Sequence, residues 1–169
     1  MNGPPIFRTL ESSEVEAAYS IYMDTFNWLK KKEIRQWLVP KKQELFEKDR
    51  ANKGLYGLFV GNMLACIACM DIIASGGWSD ITLASNALWI YRLAVADFFR
   101  GRKLGEYMME RLKDCARTMN KSHLYLDCVD VDNFLPAYYE KLGFRRLGAK
   151  DITYPSGNTF PMVLLEAVL

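Results

Sequence analysis

The chain is poor in the residues on which most hydrolytic and metal chemistry is built. Its 169 residues hold one histidine and four cysteines. A Ser-His-Asp or Cys-His site would have to be assembled around His123 alone, which stands at the start of an apolar segment. Cys66 and Cys69 have the spacing of half a metal knuckle, but no second pair follows. They lie in the apolar stretch from Met63 to Met70, where residues three apart point to opposite faces of a strand. They read as buried reduced thiols rather than zinc ligands, and no metal is expected. An excess of one charge is missing too. The 22 Lys and Arg stand against 20 Asp and Glu, a net of +2, which leaves no electrostatic footprint for nucleic acid. The clusters Lys30-Lys31-Lys32 and Lys41-Lys42 read as solvated helix faces. No hydrophobic run approaches a membrane span. The N-terminus does not show the charged stretch and apolar core of a signal peptide. A cytoplasmic protein without a membrane partner is expected. Repeats, linkers and low-complexity segments are also lacking.

Core-forming residues are abundant. Half of the chain is hydrophobic and 13% aromatic, which excludes disorder. The length suits one domain, 1–169, with a proper core.

The most informative stretch runs from Leu88 to Leu112. An apolar strand, 88–95, leads into Arg100-Gly101-Arg102-Lys103-Leu104-Gly105, and an amphipathic helix, 103–119, follows. Leu104, Tyr107, Met108, Leu112, Cys115, Ala116 and Met119 share one face of that helix, and Glu106, Glu110, Lys113, Asp114 and Arg117 take the other. The first N–H groups of a helix have no partner within it, and the helix dipole adds partial positive charge there. Gly101 and Gly105 let an anion approach the backbone, and Arg100, Arg102 and Lys103 add full charges. The turn therefore reads as a phosphate site.

Elsewhere the pattern predicts a strand at 6–10. A helix follows it, with Ser13 and Glu16 as capping box and Val15, Ala18, Tyr19, Tyr22, Met23 and Phe26 as buried face. A second helical stretch, 32–49, is broken near Pro40. Strands 55–60 and 63–72 meet at a Gly61-Asn62 hairpin turn. A loop at 75–80 precedes the strand 88–95. Later come strand 123–129, helix 133–142, a strand near 144–147, a turn at 154–158 and a strand at 160–168. Together they predict an α/β (α+β) fold, a mixed sheet with helices on both faces.

Two familiar phosphate loops do not fit. The dinucleotide fingerprint needs Gly-x-Gly-x-x-Gly, and the triphosphate loop needs Ser or Thr after its Gly-Lys, whereas Leu104 follows Lys103. The turn instead resembles the acyl-CoA turn of the GCN5-related N-acetyltransferase (GNAT) superfamily, Arg/Gln-x-x-Gly-x-Gly/Ala after a strand ending Leu-Ala-Val. Arg100, Gly105 and Leu93-Ala94-Val95 match it, and Lys103 stands where the pattern has its first glycine. Downstream, Tyr138-Tyr139-Glu140-Lys141-Leu142-Gly143-Phe144 is similar to the family's Tyr-x-Lys-x-Gly-Phe signature. The resemblance covers residues 54–168 and implies a mostly antiparallel sheet of about seven strands.

It further implies transfer of an acetyl group from acetyl-CoA, as co-substrate, to a primary amine of a small or amino-acid-like acceptor. A protein N-terminus or lysine, or a CoA sensor without catalysis, remains open, as does a monomer or homodimer. The implied cofactor residues are Leu93, Ala94 and Val95 for the pantetheine, Arg100 to Gly105 for the pyrophosphate, and Asn133, with Asp132 at the usual spacing from Tyr139. Tyr139 is the implied general acid, since a phenol stays protonated at neutral pH. Its alternative is a core ring beside Phe144. Residues 88–95 hold no acid, so the base is Asp71, Asp127 or water. Trp28, Trp37 and Tyr91, with Asp24, Phe26, Glu33 and Trp89, are candidates for the acceptor site, as aromatics with acids suit an amine. The same residues also fit a core.

Overall fold

The structure is a computed structural model that describes residues 3–37, 39–72, 76–154 and 157–169. Its strands are β1 (Ile6–Thr9), β2 (Leu55–Val60), β3 (Met63–Asp71), β4 (Ala87–Val95), β5 (His123–Val129), β6 (Arg145–Thr153) and β7 (Thr159–Val168). Its α-helices are α1 (Val15–Lys31), α2 (Gln43–Ala51), α3 (Leu104–Thr118) and α4 (Phe134–Lys141). The strands form one seven-stranded sheet in the order β1-β2-β3-β4-β5-β7-β6. The β4–β5 pair is parallel, while β1–β2, β2–β3, β5–β7 and β6–β7 are antiparallel. The mixed, mostly antiparallel sheet is thus as expected. Val60 faces Met63 across the Gly61-Asn62 turn, where Gly61 has φ 61°. In the turn after β6, the Gly157 N–H donates to the Tyr154 carbonyl; Pro155 and Ser156, like Ser75 of the expected loop, lie outside the described residues.

The chain forms two compact units, Met1–Asp71 with Ile90–Leu112, and Ile72–Trp89 with Lys113–Leu169. In the first, α1 packs on α2 and β3. Val15, Ala18, Ile21 and Tyr22 of α1 join Phe46 of α2 and Leu55, Phe59, Ile67, Cys69 and Ala94 in one core. The capping box lies two residues earlier than expected and closes a 3-10 turn ahead of α1, whose own N-cap is Glu14. Glu11 and Glu14 form the box around a 3-10 turn, with the Glu11 N–H donating to Glu14 at 2.8 Å, and Glu14 also pairs with Arg8. The helix expected at 32–49 begins only at Gln43. Glu33 takes a left-handed φ of 59° just past α1, and proline at 40 disfavours a helical residue before it.

In the second unit α4 packs on β5, β6 and β7. The Glu166 carboxylate of β7 is buried and accepts hydrogen bonds from the Tyr125 hydroxyl at 3.2 Å and from Arg145 Nε at 2.8 Å, with His123 Nε2 3.6 Å away. His123 thus lies beside a carboxylate of the neighbouring strand. The faces of α3 need correcting at two positions. Lys113 is buried and donates to the Leu142 carbonyl, and Met119 is 47% exposed. An ammonium can enter a core when a helix-end carbonyl receives it.

Candidate active site

The cationic turn belongs to the first unit. After β4 the Ala96 N–H donates to the Ala65 carbonyl at 2.9 Å, and a 3-10 turn at Asp97–Phe99 leads to Arg100. Gly101 has φ 76° and Lys103 φ 58°. Nothing lies within 4 Å of where a Gly101 Cβ would sit, so the glycine serves the backbone conformation and not a tight space. Lys103 thus stands at a position whose backbone favours glycine, and a lysine adopts it at a cost of about 1–2 kcal/mol. The first bond of α3 returns from the Tyr107 N–H to the Lys103 carbonyl at 3.1 Å. The N–H groups of Leu104, Gly105 and Glu106 therefore precede the intrahelical ladder.

The three cations of the turn are not equivalent. Arg100 pairs with Asp97 at 2.6 Å and lies 4.9 Å from the ring centre of Trp28 on α1. Its Nη2 is buried without a hydrogen-bond partner among the described residues. Arg102 is exposed and lies over Phe98 and Phe99, and Lys103 is exposed. Trp28 is thus a neighbour of the turn. Trp37 sits against the core, its ring 4.6 Å from that of Tyr22. Phe26 is buried, while Asp24 and Glu33 are exposed.

The β4–β5 pairs are Ala87–His123, Leu88–Leu124 and Trp89–Tyr125, and residues 90–95 run on beyond them. Leu93 and Val95 are half-buried and Ala94 is buried. Between them and that pairing, Arg92 takes φ 55°. Its guanidinium forms an ion pair with Asp49 of α2, which also accepts from the Tyr91 hydroxyl at 3.2 Å. Burial, then Cys69 and the carboxylates of Asp49 and Asp71, push the Tyr91 phenol well above its ordinary pKa, so its proton stays in place at neutral pH. Trp89 is buried with its ring 5.5 Å from Tyr125. The Asp49–Arg92 pair was missed in the sequence, although a lone arginine inside the apolar strand 88–95 signals a buried counter-charge.

In the second unit, Asp132 and Asn133 both take left-handed backbone, φ 51° and 59°, ahead of α4. The Asn133 N–H donates to Asp130 at 3.1 Å, and its side-chain oxygen accepts from Arg146, which also pairs with Glu140. Tyr139 is half-buried, its ring edge-on to Phe144 at 6.2 Å and to Tyr138 at 5.2 Å. Gly143, φ 83°, ends the helix. Asp127 accepts from the Trp78 indole N–H at 3.0 Å, and Asp71 is half-buried at the end of β3.

Residues 15–144 match the model of the acetyltransferase (GNAT) family. The chain is 24% identical over 143 residues to the uncharacterised N-acetyltransferase YesJ of Bacillus subtilis, covering 80% of this chain and 79% of that one. A GNAT-family acetyltransferase from Listeria monocytogenes superposes with a TM-score of 0.80 at 20% identity, over 98% of this chain and 95% of that one. YncA of Salmonella typhimurium, a putative acetyltransferase solved with its cofactor acetyl-CoA, gives a TM-score of 0.70 at 15% identity, over 99% and 95%. The solved structures share the fold.

Proposed function

The chain belongs to the acetyltransferase (GNAT) family and is an acetyl-CoA-dependent acyltransferase, and from that premise we propose that it acetylates a primary amine of a small or amino-acid-like acceptor. The cationic turn carries the reading. Leu104, Gly105 and Glu106 present N–H groups ahead of the α3 ladder, and Arg102 and Lys103 stand exposed beside them. The pyrophosphate of CoA rests there, on Arg100 to Gly105. The acetyl-CoA bound to YncA supports the same ligand.

The rest of the proposal assigns roles. The backbone of Leu93, Ala94 and Val95, beyond the β4–β5 pairs, receives the amides of the pantetheine as an added strand would. Asn133 contacts the cofactor from the start of α4. The acceptor amine, once deprotonated, attacks the acetyl carbonyl carbon. The C–N bond forms, the C–S bond breaks, and Tyr139 gives its proton to the departing thiolate. Asp71, Asp127 or water takes the ammonium proton. Trp28, Trp37 and Tyr91 contribute to the acceptor site. One acyltransferase domain over 1–169, in the cytoplasm, completes the proposal; among the described residues no helix is long and apolar enough to cross a membrane.

The test is thioester consumption from acetyl-CoA against a panel of amines, amino acids and peptides. Turnover on small amines is expected. Turnover confined to peptides moves the acceptor to proteins, and binding of acetyl-CoA without turnover on any acceptor overturns the catalytic assignment.

A further inference from the structure

Arg92 is the one strand residue with a positive φ among the described residues. Left-handed backbone costs a non-glycine residue about 1–2 kcal/mol and persists where its surroundings over-determine it. Those surroundings converge on a single carboxylate. Asp49 pairs with the Arg92 guanidinium and accepts from the Tyr91 hydroxyl at 3.2 Å and from the Cys69 thiol at 3.6 Å. The guanidinium lies 4.9 Å from the ring centre of Phe46 and 5.1 Å from that of Tyr91, and it donates to Cys69 Sγ at 3.9 Å. The two side chains are only 13% and 11% exposed.

A buried ion pair is a poor device for stability. Desolvation offsets most of its attraction, and apolar residues of the same volume do as well. What this pair provides is geometry. A left-handed residue inside a strand redirects the hydrogen-bonding groups that follow, as bulges do, and the residues that follow here are Leu93, Ala94 and Val95. We propose that Asp49 is a positioning residue for acetyl-CoA: through Arg92 it holds the left-handed break in β4 that aims the Leu93–Val95 backbone at the pantetheine. The inference rests on the proposed pairing of that segment with the cofactor.

The test separates the backbone conformation from the charge. Asp49→Leu/Arg92→Gly and Asp49→Leu/Arg92→Ala both lack the ion pair, but only glycine adopts φ near 55° freely. The acetyl-CoA dissociation constant, its KM and the kcat are measured for both and for the unaltered protein, with circular dichroism to confirm folding. The glycine variant is expected to bind within about threefold of the unaltered protein. The alanine variant should bind at least about tenfold more weakly, with KM raised and kcat at saturating cofactor retained. Equal affinities of the two variants overturn the positioning role while leaving the proposed function intact. Failure of the unaltered protein to bind acetyl-CoA overturns both. Should either double variant fail to fold, Asp49→Asn decides, because it keeps the size of the side chain and removes the charge. A raised KM for acetyl-CoA with kcat retained supports the role, and an unchanged KM rejects it.

Discussion

Lys103 combines a strained backbone with a useful charge. Its φ of 58° favours glycine, and its exposed ammonium adds charge to the helix start. Lys103→Gly should therefore stabilise the fold by up to about 1 kcal/mol, raising the thermal midpoint by about 2–4 °C. The same change should weaken acetyl-CoA binding and reduce its salt dependence. Melting curves and binding titrations at two ionic strengths check both halves. Tyr139 offers a second contrast at this scale. Its half-buried ring touches Phe144 edge-on, so both readings of this tyrosine, core ring and general acid, are compatible with its packing. Tyr139→Phe keeps the ring and should lower kcat by about 10²–10⁴-fold with cofactor affinity nearly intact, and Tyr138→Phe should change little. Full activity in Tyr139→Phe would leave protonation of the thiolate to water. The thiols give a third. Burial pushes Cys128 up to about 12 and Cys66 and Cys69 higher, while Cys115 is half-buried. In the native protein at neutral pH a thiol-alkylating reagent should label Cys115 alone, with the other three reacting only in denaturant; mass spectrometry of digests reads the result.

One helix depends on a contact that no local pattern contains. The C-terminal end of α4, the helix that carries Tyr139, receives the buried Lys113 ammonium of α3 on its Leu142 carbonyl. The ammonium also lies 5.6 Å from the ring centre of Phe144. Lys113→Met keeps the aliphatic stem but leaves that carbonyl without its donor, and should destabilise the protein by about 1–3 kcal/mol in urea unfolding. An unchanged midpoint would mean that water replaces the ammonium. At the cationic turn, Arg102 is exposed and lies over two phenylalanine rings. Arg102→Glu reverses a charge beside the proposed pyrophosphate and should weaken acetyl-CoA binding by about tenfold or more. Lys42→Glu makes the same reversal on an exposed residue ahead of α2 and should not. Calorimetric titration of both variants compares them, and equal losses would place the pyrophosphate elsewhere.

At the scale of the whole molecule, a ligand that binds only the folded state must raise its stability. Acetyl-CoA at about 100 times its dissociation constant should add roughly 2.7 kcal/mol, which for a chain of this size is about 5–10 °C in thermal midpoint. No shift at millimolar acetyl-CoA would count against the proposed binding turn. An inorganic pyrophosphate control should give a smaller shift, because it engages the turn and leaves β4 untouched.

Legibility in the sequence followed how local each feature is. Strand β5 was readable to the residue, and α3 and β4 nearly so, because apolar period, turn residues and helix start all act within a few residues of one another. The cationic turn was legible for the same reason. The alternation of apolar segments, a hairpin turn and intervening helices also pointed to a mixed sheet, and the family resemblance implied its mostly antiparallel pairing. Tertiary structure decided what local pattern cannot hold. It interrupted the helix expected at 32–49, where Glu33 takes left-handed backbone and helix resumes only at Gln43, bearing Phe46 of the core. It buried Lys113 on what the pattern read as a polar face, because a helix end elsewhere in the chain supplied an acceptor. It paired Arg92 with Asp49, 43 residues away in sequence. Charges enter a core only where a distant partner meets them, and that partner is set by packing and not by spacing.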